Sequence, residues 1–283
     1  MRGPKIITIF LLIALTGVAV IAAAWHTSEE TPPAAASVIP PNEPDDKTRA
    51  ARVPVLVELF TSEGCSSCPP ADVVLQQLEQ TQPVAGVEII PLSLHVDYWN
   101  DLGWADPYSA AAYSERQNEY AATVGRKQIY TPQMVVDGQT EFVGSQAGQA
   151  RQAIKDAAQQ PKAAIRLQKQ DGATDKAVTL SVNIEKLPPV SRGDEAEVWL
   201  AVTESGLLSQ VARGENAGRR LGHTAVTRQL TNLGPADKFT NTPQIKLNSA
   251  WQRDNLRAVI FIQEKSSRHI TGAATLSLKN SGQ

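Results

Sequence analysis

The stretch from Val55 to Leu78 restricts what this chain can fold into more than any other. Val55-Leu-Val-Glu-Leu-Phe60 is an apolar, β-branched run of strand length. Its near-continuous apolarity suits a central strand covered on both faces. A short loop, Thr61-Ser-Glu-Gly64, leads to Cys65-Ser-Ser-Cys68. Beyond Pro69-Pro70, Ala71, Val74, Leu75 and Leu78 fall at i, i+3, i+4 and i+7, which predicts a helix to about Thr81. A strand that feeds a C-x-x-C pair into a helix belongs to an α/β fold.

The next elements extend that unit. Val87 to Val96 reads as a second buried strand, and a strand-helix-strand opening implies a parallel pair with a right-handed crossover. Pro91 lies inside this strand and predicts a bulge or an edge position, because proline donates no ladder hydrogen bond. Asp106-Pro107 predicts a helix start, with aspartate as N-cap and proline first, running to Val124 before Gly125. Gln133–Val136 and Thr140–Val143 read as a hairpin across Asp137-Gly138. Ser145 is placed to cap a last helix reaching about Gln160. After Pro161 the pattern changes. Ala163–Gln168, Val178–Ile184, Ala196–Thr203, Thr224–Leu230, Ala258–Gln263 and Thr275–Leu278 read as strands between Gly and Pro turns. That predicts a mixed-sheet domain with flanking helices over 53–161 and a separate all-β domain, a sandwich, over 162–283.

The N-terminus sets the compartment. Arg2 and Lys5 precede an apolar run from Ile6 to Ala24, the pattern of an export signal. Ala22-Ala23-Ala24 suits a signal peptidase, yet the run nearly spans a bilayer, so cleavage and retention as an inner-membrane anchor through residues 6–24 both stand. Either way the bulk of the chain is expected in the periplasm or secreted, because the positive flank stays inside. Residues 25–52, rich in Pro, Ala and charge, read as a disordered linker. Lys plus Arg total 27 against 29 Asp plus Glu, which argues against a nucleic-acid partner because that needs a basic surface.

Cys65 and Cys68 are the only cysteines. A thiolate at a helix N-terminus meets unpaired N–H groups and the positive dipole end, so its pKa falls. The first cysteine of such a pair is then the exposed nucleophile and the second resolves the mixed disulfide. Because Pro69 follows Cys68 directly, the helix can also begin only there, leaving Cys65 in the loop. Redox chemistry is favoured. A copper or zinc site on Cys65, Cys68 and His95 stands as an alternative, since soft thiolates suit copper. A static disulfide would stabilise little across so short a loop. His95, Asp97, Tyr98, Trp99 and Asn100 cluster at the carboxyl end of the second strand, where ligands bind in open α/β sheets. His95 or Asp97 can shuttle protons for a thiol or help hold a metal, although a hydrogen-bonded core histidine beside an aromatic plug fits the same residues. Thr131-Pro132 precedes the hairpin, and X-Pro bonds are where cis peptides occur. Arg213 to His223 holds arginines that can fork onto a carboxylate or phosphate, although a solvated hairpin tip fits the same composition.

From Val55 to about Gln160 the chain resembles the thioredoxin-like superfamily, through the strand, the cysteine pair, the amphipathic helix and Thr131-Pro132. More narrowly, Val57–Asp72, Leu94–Trp104, Tyr130–Met134, Arg213–Arg219 and His223 are similar to a bacterial secreted family labelled only as a domain of unknown function. The resemblance implies a thioredoxin-like domain, with Pro132 as a cis-proline against the cysteine pair. It also implies Glu58 as an acid that assists proton transfer. The resulting expectation is an extracytoplasmic thiol–disulfide oxidoreductase acting on a protein or small-molecule thiol or disulfide, with no cofactor. Cys65, Cys68, Glu58, His95 and Pro132 are its catalytic set, and Thr131, Asp97 and Trp99 line the substrate. The rivals are the metal module and a non-catalytic binding protein.

Overall fold

Strand β1 (Val53–Thr61) pairs in parallel with β2 (Val87–His95) across helix α1 (Pro69–Thr81), as the apolar run and the helical stripe require. The computed structural model describes residues 52–174 and 176–279, all within one compact unit, Asn42–Gln283. The export segment and nearly all of the linker lie outside the described residues. No helix among the described residues is long and apolar enough to cross a membrane.

Helix α2 (Ala111–Thr123), the hairpin β3 (Gln133–Val136) and β4 (Thr140–Val143), and helix α3 (Ala147–Ala157) follow. Asp137 and Gly138 join the hairpin with φ of 45° and 71°, the left-handed pair that a tight two-residue turn needs. A Cβ on Gly138 would lie 1.9 Å from the Arg268 carbonyl oxygen, so only glycine fits this contact. The rest of the chain supplies β5 (Ala164–Lys169), β6 (Ala177–Glu185), β7 (Ala196–Glu204), β8 (Leu207–Gln210), β9 (Arg220–His223), β10 (Val226–Pro235), β11 (Gln244–Lys246), β12 (Leu256–Glu264) and β13 (Ile270–Ser277).

These later strands do not form a domain of their own, which corrects the expectation of a thioredoxin-like domain followed by an all-β sandwich domain. One eight-stranded mixed sheet runs β13-β12-β7-β10-β2-β1-β3-β4. The join is at β2: Val226 of β10 registers with Ser93, and Ser93 N–H donates to the Ala225 carbonyl at 2.8 Å. An open edge on β2 would leave buried backbone groups unpaired; β10 meets it at Ser93, and the Gln82 side chain pairs with the Ile89 N–H (2.7 Å) and carbonyl (3.0 Å) farther back. The sheet also curls, since Ile270 N–H at the start of β13 donates to the Asp137 carbonyl at 2.9 Å across the fold. The smaller sheet β11-β6-β5 packs on this framework.

Three apolar cores result. Val55, Val57 and Leu59 face α1 and α3 with Leu75, Leu78 and Ile154. Leu56 and Phe60 point to the opposite face, among Tyr113, Tyr120, Val259 and Phe261. Leu180, Leu200, Ile245 and Ile260 fill the third, between the two sheets. Strand alternation puts Glu58, between Val57 and Leu59, on the second face.

Local expectations fail in instructive places. Pro91 sits in an interior strand rather than at a bulge or edge. Its nitrogen faces the β10 side, as Ser93's does, and β10 registers there only at Ser93, so no ladder bond is lost. Asp106 does accept Tyr108 N–H two residues on, as a cap would, but only a turn follows: Ala110 is extended, its N–H donating to the His95 carbonyl at 3.1 Å, and α2 starts at Ala111 instead of at Asp106-Pro107. Gln146, rather than Ser145, is the N-cap of α3, and its side chain caps nothing.

Candidate functional site

Because β1 and β2 are parallel, Thr61 and His95 end them side by side, and both loops leave the sheet at one edge. The β1 loop turns through Ser62 to Gly64 and delivers Cys65, joined to Cys68 by a disulfide with Cα atoms 5.4 Å apart. Cys68 is the N-cap of α1, and Pro69 is its first residue. The helix dipole therefore acts on Cys68, while Cys65 lies in the preceding turn. The Ser67 hydroxyl lies 3.3 Å from Cys65 Sγ and can donate to a thiolate there.

Both cysteines are 0% exposed, a correction to the expectation of an exposed nucleophile. Neither is among the side chains of the three clusters described above. The polar cover bonded to the backbone of their loop is the β8–β9 hairpin tip. Asn216 Nδ2 donates to the carbonyls of Glu63 (2.8 Å) and Cys65 (2.9 Å), and Ser66 N–H donates to Glu215 Oε2 (2.9 Å). Bonds from Ser66 hold the Glu215 carboxyl below its ordinary pKa.

Beneath this cover lie two carboxylate–imidazole pairs. His95 Nδ1 sits 2.7 Å from Asp106 Oδ2, which also accepts Glu63 N–H at 2.8 Å. Burial would raise the Asp106 pKa, yet His95 and the N–H donors together hold it below the usual carboxylate range. His223 Nε2 sits 2.8 Å from Glu63 Oε1, and Trp104 Nε1 donates to Glu63 Oε2 at 2.7 Å. The two imidazoles meet edge to face with ring centroids 5.0 Å apart, and Tyr108 lies 5.5 Å from each. His95 Nε2 and His223 Nδ1 are buried without a protein hydrogen-bond partner.

Asp72 stands one turn along α1 from Cys68, its N–H donating to the Cys68 carbonyl at 3.2 Å. Thr61 Oγ1 donates to Asp72 Oδ1 at 2.9 Å. Burial pushes its pKa up to about 7; His223 and Thr61 oppose the rise, and Asp106 and Glu63 add to it. The folded protein thus keeps this proton until about pH 7, whereas the unfolded chain releases it near 3.8. The unfolded state binds fewer protons in between, so this group's contribution falls as pH rises from about 4 to about 7 and is flat above. Asp72→Asn removes that slope. The variant is expected to be more stable than wild type at pH 8, with the gap narrowing at pH 5, as read by denaturant unfolding. A gap that does not change with pH would contradict this.

The other expected residues divide into two groups. Trp99 bridges the cysteine loop to the proline: its Nε1 donates to Thr131 Oγ1 at 2.8 Å, and its Cβ lies 3.1 Å from where Gly64 would carry one. Pro132 follows a cis peptide bond and is buried. A Cβ on Gly144 would lie 3.0 Å from Ala71 Cβ and 3.5 Å from Pro132 Cβ, so Pro132 neighbours the first turns of α1. Asp97 turns away to Ser114, whose hydroxyl donates to Asp97 Oδ1 at 2.5 Å. Glu58 is not brought to the cysteines. It takes Arg116 Nε at 2.6 Å and Nη2 at 3.2 Å, and the Tyr120 hydroxyl, on the far face of the sheet. Among the described residues no three His, Cys, Asp or Glu side chains form a group that could hold a metal.

Sequence reasoning missed Asp72, Glu63, Asp106 and Asn216 as parts of this site. Only Asp72 carried a local signal, one helical turn beyond Cys68. Glu63 stands two residues before Cys65 in the same loop, Asp106 arrives from the loop after β2, and Asn216 comes from the hairpin that follows β8, whose approach depends on β10 joining β2.

An X-ray crystal structure of a protein from Agrobacterium tumefaciens is similar in fold, with 25% sequence identity and a TM-score of 0.58, covering 81% of this chain and 96% of that one. No curated protein matches the chain. A family model described as a protein of unknown function, DUF1223, matches residues 56–263, a span that contains the cysteine pair, both histidines and the hairpin above them. The match takes in well over half of the sequence, and the chain belongs to the DUF1223 family.

Proposed function

We propose that the chain is a thiol–disulfide oxidoreductase working outside the cytoplasm, with Cys65 and Cys68 as its reactive pair. The observation that carries this reading is the setting of the disulfide. It lies at the head of α1, its loop tied to a polar hairpin tip, with Asp72 one turn away. A carboxyl that titrates near neutral pH is matched to moving a thiol proton. Kinship with thioredoxin-like proteins is proposed for this reactive segment alone, meaning the pair, its helix and Pro132.

In the reduced form, Cys65 thiolate attacks one sulfur of a partner disulfide and expels the other as a thiolate. Cys68 passes its proton to Asp72 and attacks Cys65 Sγ, which releases the second partner thiolate. The partner gains two electrons and the pair returns to the disulfide; run backwards, the same steps oxidise a dithiol. The Ser67 hydroxyl supports the Cys65 thiolate. Alkylation of the reduced protein across pH 5 to 9 tests the assignment. Cys65 is expected to react first and at the lower pH. Equal rates, with both thiols titrating near the ordinary value of about 8.5, would defeat it.

A copper- or zinc-binding module is the second reading, and the unpartnered nitrogens of His95 and His223 favour it. Each ring has a carboxylate on its other nitrogen, the arrangement that orients metal-bound imidazoles. Metal retained through gel filtration and lost on His223→Ala would favour this reading over the redox one.

A further inference from the structure

We propose that the β8–β9 hairpin tip is a removable strap that gates the Cys65–Cys68 disulfide, an inference that rests on the redox reading. Cys65 and Cys68 are fully buried, although Ser66 and Ser67 between them are exposed. Thiol exchange needs a partner sulfur to approach the disulfide directly, so the closed arrangement blocks the chemistry and something has to move.

The tip is built to move. Its hold on the cysteine loop is polar: the two bonds from Asn216 Nδ2 to the Glu63 and Cys65 carbonyls, and the bond from Ser66 N–H to Glu215. Asn216 is the buried anchor, 1% exposed, while Ala212 to Glu215 and Ala217 to Arg220 are exposed. The tip also rests on the 103–104 backbone, where a Cβ on Gly214 would lie 3.2 Å from Trp104 Cβ. Val211 is fully buried and holds the base, but Ala212 to Arg219 bury no apolar side chain, and segments with few buried apolar contacts are the ones that open at low free energy. Internal bonds from Val211 N–H to the Arg219 carbonyl, Gly218 N–H to the Val211 carbonyl and Arg219 N–H to the Asn216 carbonyl let the tip swing as one piece. Arg219 Nη1 donates to Asn216 Oδ1 at 2.8 Å and keeps the amide hydrogens aimed at the carbonyls. The hairpin's base stays fixed through His223 and Glu63.

Opening would free two main-chain carbonyls and one N–H beside the disulfide. The rate at which dithiothreitol reduces the pair in the full chain reads the gate. Wild type is expected to react slowly, with a rate that levels off at high reductant because opening limits it. Asn216→Ala is expected to accelerate reduction about tenfold, the effect of losing bonds worth on the order of 1.4 kcal/mol. Exposed Glu215→Ala should give a smaller rise, about threefold. Circular dichroism confirms that both variants are folded. Wild-type rates in both folded variants, or a wild-type rate that climbs linearly with reductant to that of an open disulfide, would overturn the strap. The equilibrium midpoint of the pair, read in the same proteins, bears only on the redox reading, so the two failures are distinguishable.

Discussion

Cys68→Ser is expected to trap its partner: incubated with a disulfide substrate, the reduced variant accumulates a mixed disulfide on Cys65 and turns over at least about a hundredfold more slowly than wild type. In the proposed mechanism the second thiol attacks from within one turn, and an intramolecular step of that kind far outpaces attack by a dilute external thiol. Cys65→Ser should show no turnover, because Cys68 then has no mixed disulfide to resolve and no second thiol to resolve any of its own. Neither change should unfold the protein. Closing a loop this short restricts the unfolded chain by only about 2 kcal/mol. Mass spectrometry of the trapped species separates the roles. An adduct on Cys68 in the Cys65→Ser protein, with none on Cys65 in the other, would reverse them.

Arg116→Met should have the largest effect on stability. The Arg116 guanidinium is buried against Glu58 and donates also to Gln263 Oε1 at 2.9 Å. It lies over the rings of Tyr120, Trp199 and Phe261 at 5.2 to 5.5 Å. Removing one member of a buried ion pair strands the other charge and costs about 3–5 kcal/mol. In a chain of this size that lowers Tm by roughly 10 °C. Glu58→Gln with Arg116→Met removes both charges and should recover part of the loss, giving a coupling that a double-mutant cycle reads. A single-variant cost below about 1 kcal/mol would show that the pair is not holding β1 to α2 and β12. Thiol exchange at the cysteines should survive in any variant that stays folded, because Glu58 faces away from them.

The sequence made the elements legible and left their assembly hidden. Val55–Phe60, the stripe through Leu78 and the Asp137-Gly138 turn announced β1, α1 and the β3–β4 hairpin, because periodicity and turn chemistry are local. The strands after Pro161 were equally visible one by one. Their membership in the first sheet was not, because pairing of β10 with β2 at Ser93 is a long-range choice that no local pattern encodes. The site followed the same rule. Cys65, Cys68, His95, Trp99 and Pro132 could be singled out because they sit in or beside readable elements. Glu58 was misassigned because its place on the strand did not reveal Arg116 on the far face. Asn216 reached the cysteines only through a hairpin whose position the full sheet determines, and Glu63, two residues before Cys65, was overlooked as loop.

Equilibrium titration of the Cys65–Cys68 pair against glutathione or dithiothreitol buffers reads the claim on which the rest depends. A pair that exchanges electrons with partners should titrate reversibly as a two-electron couple, with a midpoint between about −270 and −120 mV. A midpoint below about −300 mV, where structural disulfides lie, would contradict it.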